Sequence, residues 1–195
     1  MPLTLYGGSP GSCKTHQVVG QVIVPQIKAG RKILTTIRNV RIEAIQEHLI
    51  KLGSTPESLG ELIVVPGIEV RKEKFFPRYD EANEVFDDSE STVKKGMMVI
   101  IDEAARYYMV GDKIPKNVIQ FFMEHRHSAD LDSAQSTDVI LILPNITDLN
   151  RSLRNLADAA FVTFKLKAVG QPNAYTVQQF ESGRMSAEEF ASSFV

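Results

Sequence analysis

An α/β fold, with a mostly parallel sheet covered on both faces by helices, is predicted for these 195 residues by three observations. Short apolar strands alternate with helix-period stretches along the chain. Two of those strands, in "GMMVIID" and "DVILILP", are apolar without interruption, as strands buried on both sides are. The first strand runs directly into the glycine-rich loop "YGGSPGSCKT" and then into a helix.

Taken in order, the strands are expected at 3–6, 32–37, 62–65, 97–101, 138–143 and 159–166, with a further one at 174–179. Helices are expected at 14–28, 41–51, 115–127, 148–156 and 186–193. Pro25 should end or kink the first of these early. In the third, Pro115 suits the first turn, and Val118, Ile119, Phe122 and Met123 recur at helical spacing. Gln171-Pro172-Asn173 reads as the turn of a C-terminal hairpin. The charge-rich stretch 67–95, punctuated by Pro77, reads as a surface excursion, either a solvated loop or a partner-binding face. The whole chain, 1–195, is read as one domain, because 43% hydrophobic content over this length can bury one sizeable core.

A formal charge of −2 gives no general attraction to nucleic acid or to an anionic membrane. The single cysteine excludes an internal disulfide and suits a reducing compartment, and the start "MPLTLYGG" has no secretory-signal pattern. The apolar runs are far shorter than the roughly 20 residues that cross a bilayer, so a soluble chain is expected.

The loop carries chemistry through its spacing. Glycines let backbone N–H groups converge on a phosphate, the following helix adds its positive end, and a lysine neutralises the terminal phosphates. Gly8, Gly11, Lys14 and Thr15 stand at those offsets, with Ser9, Pro10, Ser12 and Cys13 between them. Thr15 is the expected Mg²⁺ ligand. Cys13 occupies the position where such loops carry their last glycine. That glycine serves either a backbone angle that other residues avoid or room for close approach to the phosphate. If it is the angle, a β-carbon costs about 1–2 kcal/mol, roughly five- to thirty-fold in the nucleotide-ready conformation. By itself the pattern also suits a glycine turn that caps a helix. The second motif favours a nucleotide site: "MMVIIDEAARYY" ends an apolar strand in Asp102-Glu103, at the sheet edge where ligands of open α/β sheets bind. Asp102 would hold the Mg²⁺ through water, and Glu103 would orient or deprotonate the attacking water. The strand at 138–143 is expected between the loop strand and the Asp-Glu strand, the order that ATPases with an added catalytic acid need.

These motifs, together with "IKAGRKILTTIRNV" and "FFMEHRHSADLDSAQSTDVILILPN", resemble the zonula occludens toxin (Zot) family of filamentous-phage assembly proteins, within the FtsK/HerA-like group of P-loop ATPases. The resemblance implies a three-layer P-loop NTPase fold and ATP with Mg²⁺ as ligands. It also implies an ATPase role at the cytoplasmic face of the bacterial inner membrane, where phage assembly and secretion proteins are partners. It further implies self-association, and a membrane helix in a C-terminal segment absent from this chain. Direct DNA contact and toxin activity are not assigned to these residues.

Two departures from the family pattern bear on turnover. Relatives carry Thr-Gln after the strand that here ends in Leu143-Pro144, so the phosphate sensor is Asn145 or is missing; with Cys13 this points to a slow ATPase or to a nucleotide-gated scaffold. Thr36 replaces the family's asparagine. Arg126, between His125 and His127, is read either as a helix end or as a residue reaching the nucleotide or a subunit interface. Arg151 and Arg154 are expected on the solvent side of a helix whose buried stripe is Leu149, Leu153 and Leu156, as a solvated face or as arginine fingers.

Overall fold

The computed structural model describes residues 3–125, 128–130, 135–165 and 175–181. Strand β1 (Thr4–Gly7) leads through the glycine loop to α1 (Lys14–Val18), a π-helical turn (Val19–Ile23) and α2 (Val24–Lys28). Next come β2 (Ile33–Thr35), α3 (Ile42–Lys51), β3 (Leu62–Val64) and a 3-10 turn (Gly67–Arg71). The hairpin β4 (Arg78–Asp80) and β5 (Val85–Asp87) precedes β6 (Met98–Ile101) and α4 (Lys116–Glu124). A two-residue pair, β7 (Ala129–Asp130) and β8 (Gln135–Ser136), leads into β9 (Asp138–Ile142), α5 (Arg151–Arg154), β10 (Ala159–Lys165) and β11 (Tyr175–Phe180).

The central sheet has seven strands in the order β11-β10-β1-β9-β6-β2-β3. Every neighbouring pair is parallel except β10 with β11. Strand β9 lies between β1 and β6, as expected. The parallel strands alternate their buried side chains between two apolar layers. Tyr6, Ile33, Met98, Ile100, Ile140 and Ile142 face the layer of α1, α2 and α3. Leu5, Leu34, Val99, Ile101, Val139 and Leu141 face the layer of α4 and α5. All the parallel strands therefore present their C-terminal ends at one edge, where the glycine loop and the Asp-Glu pair both lie.

Four local expectations are corrected. Pro25 does not end the first helix: it sits in the first turn of α2, and the widened π turn before it carries the chain past a residue with no N–H to donate. The 67–95 segment is not a solvated loop, because Phe75, Phe76, Phe86 and Val93 are all buried in the α4-side core. In α4 the buried face is Val118, Phe121 and Phe122, while Met123 is 57% exposed. The helix expected over 148–156 is a 3-10 turn (Ile146–Asp148) followed by the short α5, each started by an asparagine side chain that accepts a backbone N–H. The hairpin turn at 171–173 and the helix at 186–193 lie outside the described residues. Among the described residues no helix is long and apolar enough to cross a membrane.

Candidate functional site

Each residue of the glycine loop has a distinct constraint. A β-carbon on Gly8, at φ 144°, would lie 2.5 Å from the carbonyl oxygen and the hydroxyl of Thr163, and 2.6 Å from Oγ of Ser12. Gly11, at φ 77°, has open space around it, so there the angle is the requirement. Ser12 is buried, and its hydroxyl is 2.7 Å from that of Thr163 on β10. The Thr163 hydroxyl also reaches the carbonyl of Gly7. The N–H of Gly8 donates to the carbonyl of Pro144, and the N–H of Ser12 to that of Ser9. Cys13 stands at φ 70°, ψ 17°, in the left-handed region, which shows that the angle is what the missing glycine would have served. Its side chain makes no cap hydrogen bond, and the first turn of α1 carries no acidic residue. The positive end of that helix is thus left to other acceptors.

Lys14 is half-buried and curls over the loop, donating from Nζ to the carbonyls of Gly8 and Ser9 (2.5 and 3.0 Å). Burial lowers its basicity, and the nearby Asp102 carboxylate acts in the opposite sense. Asp102 is held from below by Thr36, whose hydroxyl accepts the N–H of Asp102 at 2.8 Å. Burial pushes the Asp102 carboxyl up; the charge of Glu103 adds to this, while the N–H of Glu103, the charge of Lys14 and the hydroxyl of Thr15 pull it down. Lys14, Thr15 and Asp102 therefore form one cluster from two strand ends. Glu103, also left-handed at φ 52°, is exposed and pairs with Arg106 at 2.8 Å rather than with the loop.

The remaining predicted residues are more scattered. Asn145 caps the 3-10 turn, accepting the N–H of Thr147 at 3.2 Å and donating to Asp148. Arg151 is exposed, whereas Arg154 is only half-exposed, with its Nε buried and lacking a hydrogen-bond partner among the described residues. His125 is buried with Nδ1 against the carbonyl of Phe122, and Arg126 lies outside the described residues. The sequence reading missed Thr163 and Arg106. A threonine inside the apolar run "AAFVTFK" was the available signal for the first, and the three-residue spacing of Glu103 and Arg106 for the second.

A family model for the zonular occludens toxin (Zot) matches residues 3–192. The chain belongs to the Zot family. It is 23% identical over 198 residues to a zona occludens toxin of Vibrio cholerae serotype O1, covering 96% of this chain and 47% of that one. It is 22% identical over 175 residues to the gene 1 protein of Xanthomonas phage phiLf, covering 90% and 37%. The chain thus spans less than half the length of these curated relatives. The N-terminal domain of the zonular occludens toxin from Neisseria meningitidis superposes with a TM-score of 0.59 at 20% identity, over 98% of this chain and 90% of that one. The genome packaging NTPase B204 of Sulfolobus turreted icosahedral virus 2, in complex with ATP-gammaS, superposes at 0.53 with 14% identity, over 93% and 97%. The fold of this Zot-family chain is therefore that of P-loop NTPases, a mixed α/β with a seven-stranded, mostly parallel sheet.

The Zot-family loop suits a nucleotide phosphate: an uncapped helix start, a lysine above it, and no room for a side chain at Gly8. Among the described residues no group of three or more His, Cys, Asp or Glu is arranged to hold a metal ion. Thr15 and Asp102 instead offer the small oxygen set that Mg²⁺ uses when it shares its coordination with phosphates.

Proposed function

We propose that this Zot-family domain binds ATP with Mg²⁺ at Gly8–Thr15 and Asp102, and serves filamentous-phage assembly and export. The observation that carries the reading is the meeting of Lys14, Thr15 and Asp102 at one sheet edge, from strands separated by β9. The ATP-gammaS complex of B204, a protein of the same fold, supports it. The N–H groups of the loop and Lys14 would take the β- and γ-phosphates. Thr15 and Asp102 would hold Mg²⁺, which when bound neutralises developing phosphate charge. Glu103 would orient the attacking water once released from Arg106. The domain would work at the cytoplasmic side of the inner membrane, self-associated and in contact with assembly and secretion proteins, with membrane attachment supplied by a C-terminal segment beyond these residues.

A second reading is an ATP-gated scaffold with little turnover. The Glu103–Arg106 pair and the proline at position 144, where a sensor side chain would stand, favour it. Steady-state phosphate release separates the two, since a scaffold binds without releasing phosphate.

The binding claim is tested by titrating Mg-ATP into the chain and into Lys14→Ala by calorimetry. The variant is expected to bind at least tenfold more weakly, and omitting Mg²⁺ to weaken binding to the parent. Equal affinity of the two chains would remove the phosphate assignment.

A further inference from the structure

Strand β10 flanks β1 in parallel with Val162 level with Gly7, so Thr163 stands beside Gly8, where β1 gives way to the glycine loop. Thr163 is 1% exposed in a mostly apolar strand. Its branched shape suits a buried strand without any hydroxyl, so the reason for the hydroxyl lies in its partners.

It has two. The Thr163 oxygen is 2.7 Å from Oγ of Ser12, which is also buried, and 3.3 Å from the carbonyl oxygen of Gly7. A hydroxyl has one proton to give. Donating it to Gly7 leaves the Thr163 oxygen to accept from Ser12, and the two ends of the arc from Gly7 to Ser12 are then tied to one atom. The backbone lies close against the strand as well, since a β-carbon on Gly8 would meet the carbonyl and hydroxyl oxygens of Thr163 at 2.5 Å.

The residue after Ser12 is Cys13, at φ 70°. A β-carbon disfavours that angle, and such strain persists only where the surroundings over-determine it. Cys13 makes no side-chain cap bond, and the N–H of Ser12 reaches only as far as the carbonyl of Ser9, within the loop. Lys14 also crosses the loop to the carbonyls of Gly8 and Ser9, but a lysine that turns to bound phosphate gives up that hold. The Ser12–Thr163 bond instead ties the strained end of the loop to the sheet, and it is compatible with an occupied site.

We propose that Thr163 is a positioning residue of the nucleotide site: through Ser12 it holds the Cys13 loop at the left-handed angle that a glycine would adopt without strain. The proposal rests on the reading of Gly8–Thr15 as the phosphate site. The two hydroxyls are buried and paired with each other, so their part is to shape the loop and not to touch the phosphates. Without the tie Cys13 relaxes toward negative φ, and the fraction of chains ready for phosphate falls.

The experiment is calorimetric titration of Mg-ATP into the chain and its variants. Thr163→Val is expected to bind at least about fivefold more weakly, while Thr163→Ser, which keeps the hydroxyl, stays within about twofold of the parent. Adding Cys13→Gly to Thr163→Val should recover at least about threefold of the loss, because glycine holds the angle without the tie. A residue that only supports the fold would lower the melting temperature and show no such recovery. Ser12→Ala removes the same bond from the loop side and leaves Thr163 its bond to Gly7; it should give the same loss and the same recovery, and it serves if Thr163→Val does not fold. Parent-like affinity in both Thr163→Val and Ser12→Ala, an equal loss in Thr163→Ser, or no recovery with Cys13→Gly would overturn the proposal while leaving the phosphate site in place. A parent that does not bind Mg-ATP would remove the phosphate assignment and this proposal with it.

Discussion

Cys13 holds the left-handed angle, at φ 70°. The strain of a β-carbon there, about 1–2 kcal/mol, is therefore borne by the folded chain, and only part of it would be recovered by glycine, whose greater unfolded-state freedom costs about 0.5–1 kcal/mol. Cys13→Gly is accordingly expected to raise the melting temperature by about 1–3 °C and to change Mg-ATP affinity by less than about threefold. A thermal melt and a calorimetric titration check both halves; a large gain in affinity would mean that the loop needs room rather than angle. Asp102 is strained electrostatically. Its folded-state carboxyl is raised above its ordinary value by burial first, so the ionised form weakens the fold. Asp102→Asn should stabilise the chain at neutral pH. The gain should fade as pH falls toward the ordinary carboxylate range, below which Asp102 is protonated in both folded and unfolded states. Melting temperatures of parent and variant between pH 3 and 7 would show the two curves converging in acid.

At the level of elements, the segment between β3 and β6 departs furthest from the sequence reading. Its charges are on the surface, with Lys74 paired to Glu90 and Arg78 to Glu73, but its aromatic residues turn inward. Phe76 is 2% exposed and stacks on Phe121 of α4 at 4.4 Å, with Phe75 and Phe122 edge-on. The segment thus completes the α4-side layer. Phe76→Ala is expected to cost about 3–5 kcal/mol, a loss that a solvated loop could not produce, and urea unfolding would measure it. The same contacts explain the register of α4. Sequence spacing placed Met123 with Val118, Ile119 and Phe122, whereas the ring cluster takes Phe121 inside and leaves Met123 exposed. The π turn before Pro25 was equally hidden, because a proline within a helical pattern signals a break and not which of several local repairs the chain adopts.

Across the molecule, one buried ion pair ties three strands together at the edge opposite the glycine loop. Arg31, just before β2, pairs with Asp138 at the start of β9 and also donates to the carbonyls of Gly96, ahead of β6, and of Ser136. Both side chains are nine-tenths or more buried. Removing one partner of such a pair leaves the other charge without its counterion and costs about 3–5 kcal/mol. Arg31→Met should show a loss of that size in chemical denaturation. The double variant Arg31→Met with Asp138→Leu should recover much of it, and failure to recover would place the role of Arg31 in packing instead of charge.

The sequence by itself determined the seven strands of the central sheet, the loop and the acid pair, because each is a local pattern: apolar runs for buried parallel strands, glycines at fixed offsets, two carboxylates at a strand end. It also allowed the place of β9 to be inferred from the presence of Glu103. What only the tertiary structure decided depends on atoms far apart in the chain. Thr163 locks Ser12 from 151 residues away, and Thr36 fixes the N–H of Asp102. Hydrogen bonds and desolvation act through space, and periodicity along the chain carries no record of which side chains will meet.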